Sequence, residues 1–167
     1  MILFDIKQYC ITLFGTEYNT IFHMHQYYRI ITYCFIHTSI LHLIQNCVFI
    51  YFFGMHTELL YGKIQMIVIY FLSAIGGGIF SALCNDAISV GASGAIFGLI
   101  GAVFTYSYKN GKKSVGMNYT TLLLFVIVAL LSGILQQNVD YFGHFGGFIV
   151  GILVSFILLE HKKRMKQ

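Results

Sequence analysis

At 167 residues, with 57% hydrophobic and 10% charged positions, the chain makes one domain at most and is too apolar for a water-soluble fold, so it belongs in a membrane. Its mean hydropathy of +0.76 agrees. The formal charge of +4 is gathered largely in Lys109, Lys112 and Lys113 and in Lys162, Lys163, Arg164 and Lys166, clusters that set membrane topology and argue against nucleic acid as a partner.

In chain order, residues 1–38 read as an outer loop segment. The opening MILFDIKQYCITLFGTEYN lacks the basic start and long apolar run of a signal peptide, so nothing visible carries it across a bilayer. The expectation is a missing first span upstream of Met1. Taking about 20 apolar residues as one crossing, five segments follow: Leu41–Tyr61, Ile64–Leu83, Ser93–Tyr108, Thr120–Leu135 and Phe142–Leu159. A lone segment in lipid satisfies its backbone as a helix. The expected fold is therefore an all-α polytopic bundle, with a transmembrane core over 39–160 and a basic tail over 161–167.

Lys63, the Lys109–Lys113 loop and the tail all fall on one side, which the positive-inside rule makes cytoplasmic. The 84–92 and 136–141 loops then lie outside with residues 1–38. The expected location is the plasma (inner) membrane, multi-pass, with a cytoplasmic C-terminus. Cys10, Cys34, Cys47 and Cys84 have no CxxC spacing and read as packing residues rather than a zinc or disulfide framework.

Three polar clusters share the outer ends of these helices: His37 through His42 to Asn46, Gly91-Ala92-Ser93-Gly94, and Asp140 with His144. A serine inside hydrocarbon is costly without a hydrogen-bond partner. His42 and Asn46, four apart, present two donors from one helical face, as an oxyanion hole requires. Gly94, Gly98 and Ala102 form one small-residue seam, and Gly143, Gly147 and Gly151 a matching one. Such seams let two helices approach closely in lipid, which would bring His144 within reach of Ser93, with Phe97 one turn below.

On these residues the chain resembles the rhomboid family of intramembrane serine proteases. The resemblance runs through Tyr28-Arg29, Phe35-Ile36-His37, His42 with Asn46, Gly91-Ala92-Ser93-Gly94 with Phe97-Gly98, and Asp140 through His144 to Gly147 and Gly151. It implies a compact six-helix bundle, of which five spans are visible here, with a water-accessible cavity opening to the outer face. It further implies hydrolysis of peptide bonds in the transmembrane segments of other proteins by a Ser93–His144 dyad, without metal or cofactor. His42, Asn46 and the Ser93 N–H would hold the oxyanion, Phe97 would support the histidine ring, and Arg29 would help seat the first outer loop in the interface. Tyr28 stands where the family has tryptophan and Tyr33 where members often have proline; residues 1–20 look like the end of a first helix and the loop after it.

Rival readings follow from the same residues. Ser93 alone is compatible with a helix N-cap, and His144 alone with a buried, satisfied polar group. Asp140 precedes His144 by one turn and is read as a cap at a helix start rather than as a third catalytic member. His37, His42, His56 and His144 lack the close three-ligand spacing of a zinc protease. The alternative function is a catalytically inactive member that binds transmembrane clients; a transporter would call for paired intramembrane charges or an inverted repeat, and neither is present. The oligomeric state is not legible.

Overall fold

The computed structural model describes residues 2–110, 120, 122–124, 126, 127 and 139–164, with the backbone alone for 2–4. Helix α1, Ile2–Phe14, opens the chain, so the stretch drawn from sequence as outer loop begins with a helix and becomes loop only after it. A helix leaves its last carbonyls without intrahelical partners, and here one short segment satisfies them. The Arg29 guanidinium donates to Thr12 O at 2.6 Å and Gly15 O at 2.9 Å, the Tyr28 hydroxyl to Leu13 O at 3.2 Å, and the Thr32 hydroxyl to Phe14 O at 3.1 Å. Arg29 is buried, and Gln26 Oε1 accepts its Nε–H at 2.6 Å. A cation at a helix C-terminus also opposes the macrodipole. Arg29 thus seats the loop by capping α1, a more specific task than interface anchoring.

Between α1 and the bundle lie a π-helical turn, Asn19–His23, the single-turn α2, Arg29–Thr32, and a 3₁₀ turn, Tyr33–Phe35. Helix α3, Ile40–Tyr61, starts on Ser39, whose hydroxyl accepts the His42 N–H at 3.1 Å. Helix α4, Lys63–Cys84, follows after Gly62 alone, whose φ of +103° is open to glycine at little cost. Helix α5 is Ser93–Asn110 and helix α6 is Tyr141–Arg164. These bounds match four of the five expected spans within a few residues. The fifth, Thr120–Leu135, lies mostly outside the described residues; those described at 120–127 are helical, with Leu122 and Val126 buried in the core. The lysines at 112, 113 and 166 lie outside them as well.

Among the described residues, α3, α4 and α6 are long and apolar enough to cross a membrane. Helix α5 is less apolar for a physical reason: it runs through the centre, buried from Gly94 to Val103 without a break, and faces protein rather than lipid. It packs on α3, α4 and α6, with Leu99, Val103 and Ile96 in the main apolar cluster beside Phe53, Ile69 and Phe148. The expected separate basic tail is corrected in part, since His161–Arg164 continue α6 and place four basic side chains in its last turn, where the dipole favours them.

Candidate active site

Ser93 is the first residue of α5 and His144 lies in the first turn of α6. Their side chains meet, with His144 Nε2 at 2.8 Å from Ser93 Oγ. Two devices aim them. The chain enters Ser93 through Gly91, held at φ +125° with its N–H donated to Tyr33 O at 3.0 Å. The imidazole stacks on Phe97, ring centroids 4.4 Å apart and planes 18° from parallel. Phe97 is itself buried, so the ring has a fixed floor.

The close approach of α5 and α6 depends on bare backbone. A side-chain carbon on Gly147 would strike the Gly94 carbonyl, and one on Gly151 the Gly98 carbonyl. The third contact on α5 is Gly101, where an added carbon would stand 2.7 Å from Phe148 O. Ala102, assigned to the seam from its spacing, instead offers its carbonyl to the Tyr61 hydroxyl of α3 at 2.9 Å. The contact follows positions four and then three apart, as 3.6 residues per turn requires. Gly143 also needs correction. A carbon there would come within 2.9 Å of Asp140 Cγ, so its bareness lets the Asp140 side chain fold back over the helix start.

Asp140 caps α6: Oδ1 accepts the Gly143 N–H at 2.8 Å. Its other oxygen accepts the Ser89 hydroxyl at 2.5 Å. The carboxylate is therefore spent on backbone and loop, and His144 Nδ1 is buried with no partner among the described residues.

His42 lies against the serine loop. A carbon added to Gly91 would stand 2.9 Å from His42 Cε1 and 3.1 Å from Nε2, and 4.0 Å from Ser93 Oγ. Its Nδ1 is 3.2 Å from Thr38 Oγ1, and its ring meets His37 edge-on at 5.0 Å. Burial lowers the His37 pKa below the ordinary imidazole value, which favours the neutral ring. Asn46 is buried one turn deeper and donates from Nδ2 to the His42 carbonyl at 2.9 Å. That bond uses one of its two amide hydrogens.

A family model described as the rhomboid domain matches residues 24–161. The chain belongs to the rhomboid family. It is 34% identical to "RHOMBOID-like protein 1" of Arabidopsis thaliana over 148 residues, covering 86% of this chain and 37% of that one. It is 31% identical to "Rhomboid protease GluP" of Bacillus subtilis (strain 168) over 145 residues, covering 87% and 29%. With "Rhomboid-like protease 3" of Toxoplasma gondii it shares 36% over 157 residues, covering 89% and 58%. This rhomboid chain thus spans roughly a third to three-fifths of the length of those relatives.

Sequence reasoning missed the part that α4 plays at the rhomboid site. A carbon on Gly77 would stand 2.8 Å from Gly143 O and 3.3 Å from Gly94 Cα, so α4 joins α5 and α6 in the same tight junction. Ser73 packs against Gly98 in the same way. Tyr33, noted only as a departure from proline, fills the remaining corner: its hydroxyl donates to Ala74 O at 2.7 Å and lies 3.0 Å from where a Gly94 side chain would begin. The run Gly76-Gly77-Gly78 inside an apolar helix was the available signal.

Proposed function

We propose that this rhomboid is a serine-type intramembrane endopeptidase that cuts the transmembrane segments of other membrane proteins near their outer ends. The observation that carries the reading is the 2.8 Å contact between Ser93 Oγ and His144 Nε2 at the end of a bundle of membrane-length helices. That is the distance at which an imidazole can take a hydroxyl proton as the oxygen attacks a carbonyl.

In the resting form the Ser93 hydroxyl donates to Nε2, so the ring proton sits on Nδ1. As Oγ attacks, Nε2 takes the proton, then gives it to the leaving amine; water reverses the sequence to free the acyl group. The oxyanion would form against the first-turn N–H groups of α5, which have no intrahelical acceptors, with His42 and the second Asn46 hydrogen beside them. Helices that unwind easily near their ends are the fitting substrates, because a helical peptide bond is shielded from attack.

The side of cleavage follows from charge. Lys63, Lys109 and the Lys162–Arg164 turn lie at the ends of α3–α6 opposite Ser93 and His144. The positive-inside rule places those ends and the C-terminus in the cytoplasm, and the dyad at the outer face of a plasma (inner) membrane. The test is cleavage of a single-span substrate in proteoliposomes by wild type and Ser93→Ala. Loss of cleavage in the variant is expected. Equal cleavage would overturn the dyad, and substrate binding without cleavage or labelling by a fluorophosphonate in the wild type would establish a client-binding protein instead.

A further inference from the structure

Two hydrogen bonds join the α5 side of the site to α6, and each links residues 51 positions apart: Ser93 to His144, and Ser89 to Asp140. The second stands one helical turn before the first along both segments. We propose that the Ser89–Asp140 bond is a clamp that sets the Ser93–His144 distance, making Ser89 and Asp140 positioning residues for the dyad. The proposal rests on the Ser93–His144 reading above.

Ser89 is anchored on three sides. Its N–H donates to Thr16 O and its carbonyl accepts the Thr16 N–H, both at 2.9 Å, in an isolated antiparallel bridge. Its hydroxyl donates to Asp140 Oδ2 at 2.5 Å, a charge-assisted bond in a largely buried setting. Asp140 is in turn rigidly tied to the base, because its other oxygen caps Gly143 N–H and its carbonyl accepts the His144 N–H at 3.1 Å.

Between Ser89 and Ser93 stands Gly91 in a left-handed conformation, the joint about which the start of α5 could swing. The clamp removes that freedom at the point where it would open the dyad. Asp140 therefore acts through geometry rather than charge on the ring, since no contact runs from its carboxylate to His144 Nδ1. An asparagine reproduces the geometry: its carbonyl oxygen can cap Gly143 and its NH₂ can donate to Ser89 Oγ.

The experiment measures kcat and KM on a single-span substrate in proteoliposomes for the full chain and for Ser89→Ala, Asp140→Ala, Asp140→Asn, the double alanine variant and Ser93→Ala. Ser89→Ala and Asp140→Ala are each expected to lower kcat about tenfold with KM within about twofold, because misplaced reacting groups cost rate rather than binding. The double variant should be no slower than Asp140→Ala, the sign of one shared interaction. Asp140→Asn should keep most of the activity. Wild-type kcat in Ser89→Ala, or Asp140→Asn as slow as Asp140→Ala, would overturn the clamp. If Asp140→Ala loses its cap and fails to fold, Ser89→Ala against Asp140→Asn decides alone. Cleavage by Ser93→Ala at the wild-type rate would instead overturn the dyad reading, an outcome distinct from failure of the clamp.

Discussion

The two ends of the α5–α6 interface are built on one register and different chemistry. At the outer end Ser93 meets His144, and at the basic end Lys109 forms an ion pair with Glu160, again 51 positions apart, while its ammonium lies 3.5 Å from the Phe156 ring centroid. The 16 residues between the pairs on each helix correspond to about 24 Å of rise. The glycine contacts lie between them. The outer pair is compact, half-buried and held by a ring stack, which suits proton transfer; the inner pair uses long, partly exposed side chains, which suits a tolerance for motion. Precision is concentrated where chemistry needs it.

Variants that break the outer end should have the largest effect. Ser93→Ala and His144→Ala are each expected to lower substrate cleavage by about 10³-fold or more, checked by gel assay in proteoliposomes, with unchanged helical circular dichroism. Next comes the seam. Gly147→Ala places a carbon against the Gly94 carbonyl, so it should cost about 1–3 kcal/mol in thermal unfolding and about 10²-fold in kcat/KM through displacement of the dyad. Removing the ring support is milder: Phe97→Leu keeps an apolar floor and forfeits the stack, and should slow fluorophosphonate labelling of Ser93 about three- to tenfold. The smallest change should come from the inner end, where Lys109→Gln leaves cleavage within about twofold because a solvent-exposed ion pair adds little. A large loss of activity in that variant would erase the contrast between the ends.

Helix positions were legible because lipid demands long apolar runs, and four spans fall within a few residues of their expected bounds. The pairing of Ser93 with His144 was legible too, since glycines flank both and a buried hydroxyl needs a partner. Other contacts left weaker traces. Capping of α1 by Tyr28, Arg29 and Thr32 runs to carbonyls, which every residue owns, so no side-chain pattern announces it. Ala102 and Gly101 differ by one position and 100° of helix, a distinction that spacing alone blurs. Ser89 is an ordinary loop serine until its bridge to Thr16 turns it toward Asp140.

The hairpin of α3 and α4 carries one more lesson. Its limbs are both 22 residues long and share a single-residue elbow at Gly62. It works as a calliper, delivering His42 at one tip and the loop that carries Gly91 at the other to a common height. Deleting one residue midway along either limb would withdraw its tip by about 1.5 Å and turn it by about 100°. Limb length is thus inherited as a unit of measurement, and a chain that shortened one arm would have to shorten the other.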